Sequence, residues 1–563
     1  MSLFDRILEK RGITPENKAV FLSPNYDAKH DPFLLPDMQA AVERLVRARD
    51  NQERITIYGD YDIDGLTATT VLIDAFASFG FEHVKAFIPN RFTEGYGLTV
   101  DAIERIAKDG ADLIVTVDCG SLSHKEIERA AELSIDVIVT DHHNVAPQQP
   151  PAVAVINPKR LLQEYPDEFE KYLIKPDSKM VGKIYPFLDL PGVGVAFKLV
   201  QALQTRLDGI ESGQEKWLLD LVALGTVCDV VTLVDENRTH VFWGLKVLSK
   251  TRRPGLKALM AVADVRPEVV NARSLGFGLG PRMNASGRLE TAQYSLDMLV
   301  ETDPMQALHH ARKLDEMNQA RRREQDVILK EAIVQAETLL DDPVLVVAAE
   351  GWNHGIVGIV AAKLLEKYQK PAFVLAFHED ETKGSARSYG DFSAADAIRA
   401  SDDIITKGGG HKLAAGVTMP TANIEAFRKR VNAFYKELQL KEQASLLLPT
   451  ADVDAELHEV TIELIDTLSR LEPFGSGNPR PVLRTAEVFV VGVRRMGDNG
   501  QHVKISIKDA MGQKIDLLAF NAATYFFVEV GEQINVWYSP EINEWQGRRS
   551  VEGMLLHLEP SSL

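Results

Sequence analysis

The sequence predicts an α/β protein in three parts: a parallel-sheet lobe, a long helix that joins it to a smaller α/β lobe, and a C-terminal β-barrel of the OB type. Three observations support this fold class. Apolar strand-like runs alternate with helical patterns early in the chain, which indicates βαβ units. A polar helical segment from about Pro304 to Leu340 contains few turn signals. Several β-like segments then fill the C-terminal region, as expected for a small barrel.

The chain has 563 residues, which is too long for one hydrophobic core, so we expect several domains. The first is a cap that ends in an amphipathic helix of about Asp37 to Arg49. The predicted parts are the cap 1–50, the parallel-sheet lobe 51–303, the connecting helix 304–342, the smaller lobe 343–445 and the barrel 446–563.

The parallel-sheet lobe begins with apolar runs typical of buried strands, separated by helical patterns. Strands are predicted at 55–58, 84–88, 113–117, 135–140 and 153–156, and helices near 66–79, 100–108 and 122–133. Residues 157–191 contain several prolines and predict an irregular insertion. From Gly192 to about Val300 the pattern is mostly helical.

The smaller lobe also alternates strand-like and helical patterns, and the barrel is a run of strand-like segments. In the smaller lobe we predict strands at 344–348 and 372–376, helices at 357–368 and about 421–441, a turn at Gly384–Arg387 and a glycine loop at Gly408–His411. In the barrel we predict strands near 486–495, 502–508, 514–520, 532–539 and 549–558.

Composition excludes several classes of protein. The N-terminal residues lack the basic and then apolar order of a signal peptide, and no apolar run is long enough to span a bilayer. Two cysteines cannot form a disulfide framework, so we expect a cytoplasmic protein. The net charge of −18 argues against broad binding to polyanions, but basic clusters remain at Arg321–Arg323 and Arg494–Arg495.

An acidic loop follows the first predicted strand. Asp60, Asp62 and Asp64 stand at every second position between Gly59 and Gly65, and a helical pattern follows. Three carboxylates so close together repel one another unless a cation lies among them, and hard divalent cations prefer such oxygen ligands. A solvated acidic turn or a single calcium loop is the alternative for this stretch taken alone.

Three further segments place ligand-type residues after apolar runs that we interpret as strands. Asp118 follows one run, Asp141-His142-His143 follows another, and Asp229 follows the run Val222–Cys228. Ligands of open α/β sheets bind beyond the carboxyl ends of the strands. Each residue alone is commonly a helix cap, but together with the acidic loop they predict one crevice lined by carboxylates and imidazole.

Asp141-His142-His143 and the Asp-x-Asp-x-Asp loop together resemble the DHH phosphoesterase superfamily, and in detail its branch of bacterial single-strand-specific exonucleases. Segments similar to that branch are Gly59–Gly65, the substrate motif Gly280–Leu289, and the second-lobe motifs Gly351–Ile359 and Gly408–His411. The resemblance implies a DHH-type lobe, a DHHA1-type second lobe and an OB-type barrel. Smaller members have a histidine where Tyr58 stands here, which favours the exonuclease branch, with Asp60 compensating.

The resemblance also implies two divalent cations, Mn²⁺ or Mg²⁺, that activate a water and hold the scissile phosphate. One cation would be held by Asp60, Asp62 and Asp118, and the other by Asp64, Asp118, His142 and Asp229, with Asp118 bridging. His143 would stay free to donate to a phosphate oxygen or to the leaving group. Asp141 would orient an imidazole. Cys119 and Cys228 adjoin two of these aspartates, but Mn²⁺ and Mg²⁺ prefer oxygen, so we expect them to be buried and structural.

The resemblance assigns a second set of residues to phosphate and strand. Ser385 and Arg387 resemble the anchor for a 5′-phosphate, and Arg91 is a candidate to join them. The other candidates are Arg282, Asn284, Ser286, Arg288, His354 and His411. Arginine offers bidentate donors to phosphate. The alternatives are a structural arginine pair and buried, hydrogen-bonded histidines.

The barrel alternates aromatic and basic residues, as OB domains that stack bases in a basic groove do. The aromatic residues are Phe489, Phe526, Phe527, Trp537, Tyr538 and Trp545, and the basic ones are Arg494, Arg495, Lys504, Arg548 and Arg549. We expect most of these aromatic residues to lie in the core and one or two to stack on bases.

The function implied is a two-metal 5′-to-3′ exonuclease on single-stranded DNA in repair and recombination. The resemblance further implies a monomer with single-stranded-DNA-binding protein and a helicase as partners and no membrane association. One alternative is an oligonucleotide or cyclic-dinucleotide phosphodiesterase, which would need neither the connecting helix nor the barrel. The other is a non-catalytic replication scaffold, which would be expected to lose ligand residues that are all present here.

Overall fold

The computed structural model describes residues 1–167, 184–440, 444–520, 522 and 526–561. Its contacts divide the chain into two compact units. The first contains Met1–Asn25 and the described residues after Leu440, except for Gly475–Gly477, which belong with Tyr26–Leu440 in the second. The predicted cap, residues 1–50, is therefore divided between the two units. Residues 168–183 of the predicted insertion lie outside the described residues.

The chain begins with two short helices of the first unit, α1 (Leu3–Lys10) and α2 (Pro15–Leu22). The second unit then starts with short 3₁₀ turns and helix α3 (Met38–Asp50), which matches the predicted amphipathic helix. Among the described residues, no helix combines the length and apolar character that a membrane crossing requires.

A five-stranded parallel sheet forms the centre of the first lobe, as predicted. Its strands are β1 (Ile55–Gly59), β2 (Val84–Phe87), β3 (Leu113–Val117), β4 (Asp136–Thr140) and β5 (Ala154–Ile156), in the order β2-β1-β3-β4-β5. Gly59 lies opposite Val117, and Val117 lies opposite Thr140. The register therefore places the residues that follow β1, β3 and β4 side by side at one edge of the sheet.

Helices cover both faces of this sheet. The helices of this lobe are α4 (Ile63–Ser78), α5 (Val100–Lys108), α6 (His124–Glu132), α7 (Leu161–Glu164), α8 (Gly192–Leu203), α9 (Leu219–Cys228), α10 (Asp235–Leu248), α11 (Pro254–Val262), α12 (Gly280–Leu289) and α13 (Gln293–Val300). The interpretation of Val222–Cys228 as a strand is wrong, because these residues form most of α9. This helix is buried from Leu219 to Thr226. A helix that is apolar on all sides has no helical periodicity and cannot be told from a buried strand.

The long connecting helix is confirmed as α14 (Pro304–Glu337). Asp303 caps it, because its side chain accepts hydrogen bonds from the backbone N–H groups of Met305 and Gln306. The smaller lobe follows with strand order β6-β7-β8-β10-β9. Its elements are β6 (Leu345–Glu350), α15 (Val357–Tyr368), β7 (Ala372–His378), β8 (Glu381–Arg387), α16 (Ala394–Arg399), β9 (Lys407–Gly410), β10 (Ala414–Pro420) and α17 (Ile424–Glu437).

Two segments of the smaller lobe differ from the prediction. Gly384–Arg387, predicted as a turn, lies within β8. The glycine run Gly408–Gly410, predicted as a loop, forms most of the exposed edge strand β9 and pairs with β10. Glycine and small polar residues are weak strand formers, and pairing with neighbouring strands has overridden that local preference.

The first unit contains a barrel-like sheet and the two N-terminal helices. Its elements are β11 (Val453–Asp454), α18 (Ile462–Leu468), β12 (Leu483–Met496), β13 (His502–Lys508), β14 (Lys514–Ala519), β15 (Gln533–Trp545) and β16 (Arg548–Pro560). The apolar face of α1 lies in the same hydrophobic core as the barrel strands. Arg11 pairs with Asp452 at 2.7 Å. The five predicted barrel strands are confirmed, with the short β11 added.

Candidate metal centre and phosphate pocket

The acidic loop turns the chain from β1 into α4. Asp62 is the N-cap of α4, and its Oδ1 accepts hydrogen bonds from the backbone N–H groups of Asp64 (2.9 Å) and Gly65 (3.2 Å). Asp64 is buried, and its two oxygens accept from the backbone N–H groups of Gly192 (2.6 Å) and Val193 (2.8 Å). The N-terminus of α8 therefore holds this carboxylate, as helix N-termini hold anions.

Asp118 is the first residue after β3, and its backbone is left-handed, with φ at 62°. Its N–H donates to the carbonyl oxygen of Thr140 at 3.0 Å, which anchors the turn. A Cβ atom at Gly192 would lie 2.6 Å from Cβ of Asp118, so only glycine lets α8 approach this closely. The turn and the close helix direct the Asp118 side chain into the crevice at the sheet edge.

Asp141 organises the segment after β4. Its Oδ1 accepts from the backbone N–H groups of His142 (2.7 Å) and His143 (3.1 Å), and its Oδ2 accepts from that of Ser121 (3.0 Å). Burial opposes its ionised form, but the hydrogen bond and charge of His143 outweigh this and lower the pKa of Asp141 below its usual range. Asp141 is thus a bonded anion that orients the two histidines.

His142 brings carboxylates from three elements together. Its Nε2 lies 3.1 Å from Oδ1 of Asp118, 3.7 Å from Oδ2 of Asp229 and 3.8 Å from Oδ2 of Asp64. Asp229 reaches this point from the C-terminus of α9 and not from a strand end. Potential ligand atoms lie within 4.8 Å of one another in three groups: Asp118, His142 and His143; Asp64, His142 and Asp229; and Asp60, Asp62 and Asp118.

Four buried atoms in this cluster have no hydrogen-bond partner among the described residues. They are Oδ1 of Asp60, Oδ1 of Asp118, Nε2 of His142 and Oδ2 of Asp229. Buried polar atoms are nearly always bonded, so four that converge on one place have unmet bonding capacity there. Three oxygens and one imidazole nitrogen form a donor set that suits Mn²⁺ or Mg²⁺.

The charges of the cluster are uncompensated as well. Burial and the charge of Asp62 raise the pKa of Asp64 to about 7, and burial and the charge of Asp64 raise that of Asp229 to about 9. Burial with neighbouring carboxylates also raises the pKa of Asp60 and of Asp118 well above the usual range. Burial and the charge of His143 lower the pKa of His142 to about 3, so its imidazole is neutral and ready to act as a ligand.

His143 is held by one ring nitrogen. Its Nδ1 lies 2.9 Å from Oδ1 of Asp141 and 2.9 Å from the Tyr96 hydroxyl, which also donates to the carbonyl oxygen of Asp118 at 3.2 Å. Burial alone would lower the pKa of His143, but the hydrogen bond and charge of Asp141 outweigh it and raise the pKa. Sequence reasoning missed Tyr96, because a lone tyrosine between two glycines carries no spacing signal.

A second cluster of opposite sign adjoins the first. Arg288 donates from Nη1 to the carbonyl oxygen of Gly355 at 2.8 Å. Burial and the charges of Arg91, Arg321 and Arg387 lower the pKa of Arg288 to about 10. Among the described residues, no carboxylate lies within 4.0 Å of any of these four arginines. The cluster is therefore suited to an anion such as phosphate.

Ser385 and Arg387 face the start of α15. A Cβ atom at Gly358 would lie 3.3 Å from Nη2 of Arg387 and 3.4 Å from Oγ of Ser385. Arg91 lies over the ring of Tyr61, with 4.2 Å between its guanidinium carbon and the ring centroid. The structure thus brings both predicted anchor residues to a helix N-terminus, where backbone N–H groups also favour anions.

The other residues predicted to bind phosphate do not belong to this arginine cluster. Arg282 pairs with Asp315 at 2.8 Å, so its charge is compensated. Ser286 is buried, and its hydroxyl is hydrogen-bonded to the carbonyl of Met283 and to Ser295. The remaining candidates are Asn284, half-buried on α12, His354, edge-on to Phe92 with 4.9 Å between ring centroids, and His411, exposed after β9.

The barrel residues predicted to stack on bases separate into core and surface. Tyr538 is buried, and its hydroxyl lies 3.1 Å from that of Thr485, so it belongs to the core. Phe489, Phe527 and Trp545 are exposed. Lys504 lies between Asp516 (2.8 Å) and Glu552 (3.0 Å), which compensate its charge.

The chain is similar to known proteins both in sequence and in fold. Three protein-family models match: the DHH family, N-terminal domain, over residues 54–226, the DHHA1 domain over 341–437, and the RecJ OB domain over 451–557. The chain is 36% identical over 554 residues to the single-stranded-DNA-specific exonuclease RecJ of Bacillus subtilis, with 98% of this chain and 67% of that protein covered. It is 33% identical over 586 residues to RecJ of Dickeya dadantii, with 99% and 96% covered.

The fold is similar to the crystal structure of RecJ from Thermus thermophilus in complex with Mn²⁺. The TM-score is 0.81 at 27% sequence identity, and the match covers 99% of this chain and 76% of that one. The same Thermus protein also has a crystal structure in complex with Mg²⁺. Both cations are of the class that the donor set of the acidic cluster suits.

Proposed function

We propose that this chain, which belongs to the RecJ family of single-stranded-DNA-specific exonucleases, hydrolyses phosphodiester bonds of single-stranded DNA from the 5′ end. The observation that supports this most directly is the set of four unpartnered buried ligand atoms beside a cluster of arginines without carboxylate partners among the described residues. The first cluster suits cations and the second suits phosphate, which together are the requirements of phosphoryl transfer.

The residues of the acidic cluster would hold two divalent cations, Mn²⁺ or Mg²⁺. Such cations lower the pKa of a water and neutralise charge on the scissile phosphate. We assign Asp60, Asp62 and Asp118 to one cation, and Asp64, Asp118, His142 and Asp229 to the other. Asp118 would contribute to both sites, since its side chain lies in two of the three ligand groups.

His143 serves as a proton donor through its Nε2 atom. Its Nδ1 is held by Asp141 and Tyr96, so Nε2 is the ring atom left to face substrate. The raised pKa of His143 favours the protonated ring, which can donate to a phosphate oxygen or to the leaving oxygen. Asp141 keeps the ring in this orientation and stabilises its positive charge.

Arg387, Ser385 and Arg288 capture the terminal 5′-phosphate. The charge of Asp62 acts on Arg288, so the arginine cluster lies within electrostatic reach of the acidic loop. A phosphate bound there would bring the next linkage toward the acidic cluster, so cleavage would proceed from the 5′ end. The barrel provides grip on longer strands through its exposed aromatic residues and does no chemistry.

Digestion of end-labelled single strands tests the proposal. With Mn²⁺, a 5′ label should appear at once as mononucleotide, whereas a 3′ label should stay on strands that shorten step by step. Blunt duplex and added chelator should each prevent release. Early release of the 3′ label would contradict the polarity, and faster turnover of dinucleotides than of long strands would favour an oligonucleotide phosphodiesterase.

We also propose that the functional domains of the chain are residues 51–303, 304–342, 343–445 and 446–563, with residues 1–50 as an N-terminal segment. We propose a cytoplasmic monomer in DNA repair and recombination, with single-stranded-DNA-binding protein and a helicase as partners. Sedimentation of the purified protein with and without each partner checks the monomer and both contacts.

A further inference from the structure

The connecting helix α14 carries a buried polar face. Asn318, Arg321 and Gln325 are 1%, 8% and 6% exposed, and their spacing of three and four residues places them on one side of the helix. Arg321 donates from Nη2 to Oδ1 of Asn318 and from Nη1 to Oε1 of Gln325, both at 2.6 Å. The guanidinium is therefore held in one orientation by its own helix.

The positive charge of Arg321 has no ion-pair partner within 4.0 Å among the described residues, and the charge of Asp326, further along α14, acts on it only from a longer distance. Both acceptors are neutral amides, and no carboxylate of that part of the chain lies within 4.0 Å of it. On the same helix, Asp315 forms an ion pair with Arg282, so this helix does supply a carboxylate to another arginine but not to Arg321. Burial of an unpaired cation is costly. A buried arginine without a carboxylate is expected where an anion binds.

Arg321 lies close to the phosphate pocket, by which we mean the proposed phosphate-binding residues Arg288, Ser385 and Arg387. Its charge acts on Arg288, together with those of Arg91 and Arg387. Leu289, the residue after Arg288, packs against a hydrophobic core that includes Ile328 of α14 and Val357 of α15. Arg321 is seven residues, or about two helical turns, before Ile328 on α14. It therefore lies on the same side of α14 as Ile328, the side that faces α12 and α15.

We propose that Arg321 is a positioning residue that makes the pocket selective for a terminal, dianionic 5′-phosphate. The inference rests on the proposed function. Arg321 acts through its electric field at Arg288, and the hydrogen bonds to Asn318 and Gln325 hold its guanidinium in place. A fixed extra cation favours a dianion over the monoanion of an internal linkage, and it needs no reorganisation when the ligand binds.

Three variants separate this role from a structural one. Arg321→Gln removes the charge. Asn318→Asp keeps the arginine but places a carboxylate against it. Arg322→Gln removes one positive charge from the exposed neighbouring residue and is the matched control. Each is compared with the wild type for kcat and KM on 5′-phosphorylated and 5′-hydroxyl strands, for inhibition by thymidine 5′-monophosphate in Mn²⁺, and for Tm.

Arg321→Gln and Asn318→Asp should each reduce the preference for the phosphorylated end by about tenfold, as expected for one unit charge that acts at an effective dielectric constant of about 20. Inhibition by the monophosphate should weaken by a similar factor. Activity on hydroxyl ends should stay within about twofold of wild type, and Arg322→Gln should leave the preference unchanged. Asn318→Asp should keep the wild-type Tm, so it tests the charge even if Arg321→Gln does not fold.

Equal losses on both kinds of end, or an unchanged preference in Asn318→Asp, would overturn the inference and leave Arg321 a structural residue. The proposed function fails differently. In that case the wild type itself would not release mononucleotides from single strands, or would not prefer phosphorylated ends. A wild type that prefers them, with variants that do so equally, would refute only the role of Arg321.

Discussion

Two buried charged clusters in the second unit differ in how their charges are arranged: one pairs opposite charges, and the other brings like charges together. In one, Lys198 donates from Nζ to Oε1 of Glu236 (2.8 Å) and to the carbonyl of His30 (2.6 Å), while Tyr185 donates to the other oxygen of Glu236. In the other, the acidic cluster at the sheet edge, carboxylates meet around His142 and leave four ligand atoms unpartnered among the described residues. Most of the charged side chains in both clusters are buried, although the side chain of Asp229 is 21% exposed.

The difference teaches what marks a site. Burial opposes ionisation of Glu236, but the charges of Lys198 and His240 outweigh it and lower its pKa to about 2. In the acidic cluster, burial and like charges act together and raise the pKa of Asp229 to about 9. In the first cluster the cation and the carboxylate satisfy one another, although Nδ1 of the neighbouring His240 has no partner among the described residues. The second cluster leaves four converging ligand atoms unbonded, which cations would satisfy. Several unbonded ligand atoms that converge on one point, and not burial or charge by itself, separate a binding site from a structural ion pair.

The largest effect is expected at Asp118. Asp118→Asn should abolish detectable cleavage, because the carboxylate that we propose as a ligand of both cations is lost. Saturating Mn²⁺ should raise the wild-type stability by about 2.7 kcal/mol at a hundred times Kd, and this gain should be absent in the variant. Metal-free Tm should not fall, because a like charge has been removed. Normal turnover in excess Mn²⁺ would refute the bridging assignment.

Glu236→Gln should have the opposite effect to Asp118→Asn: stability should fall, whereas activity should be retained. It leaves the Lys198 cation buried without its partner, which costs about 3–5 kcal/mol of stability. Turnover per folded molecule should remain near wild type. Urea unfolding measures the loss, and the double variant Lys198→Met with Glu236→Gln should recover part of it because the unpaired charge is gone. A fully stable single variant would show that the two clusters do not differ in this way.

Arg387→Ala tests the cationic counterpart of the acidic cluster. A hydrogen bond to a charged group is worth about 1.5–3 kcal/mol, or roughly ten- to a hundredfold in kcat/KM. The loss should be confined to 5′-phosphorylated ends, so the preference over hydroxyl ends should disappear. Arg399→Ala, an exposed arginine of the same lobe that pairs with Asp396, is the control. Unaltered discrimination in Arg387→Ala would place the anchor at Arg91 or Arg282 instead.

The smallest effect concerns pH. Burial lowers the pKa of His240, beside Glu236, from 6.5 to about 4. The folded state therefore binds this proton less readily than the unfolded state, so stability is complete above pH 6.5 and is lost as the pH falls toward 4. The slope is about 1.4 kcal/mol per pH unit in that window. His240→Gln should flatten the difference in unfolding free energy between pH 6.5 and 5.5, and a variant with the wild-type slope would assign it to another group.

The sequence by itself determined the fold class. Alternating apolar runs defined the five parallel strands, the polar pattern defined α14, and short β-like segments defined the barrel, because each signal is local and periodic. It also placed Asp60, Asp118 and Asp141 at one sheet edge, since residues after parallel strands meet there. The roles of Asp60 and Asp118 as ligands, and of Asp141 as the residue that orients an imidazole, remain predictions.

Only the tertiary structure decided the rest. Asp229 reaches the cluster from helix α9, whose apolar surface hides its periodicity. The hydroxyl of Ser286 is hydrogen-bonded in the core, and the hydroxyl of Tyr96 lies against His143. Arg321 is hydrogen-bonded to Asn318 and Gln325, and no carboxylate of the described residues lies within 4.0 Å of it. These outcomes depend on which atoms long-range packing brings within bonding distance and which it leaves unpaired. Local patterns report the shape of a segment, whereas unmet bonding capacity exists only after all segments are packed together.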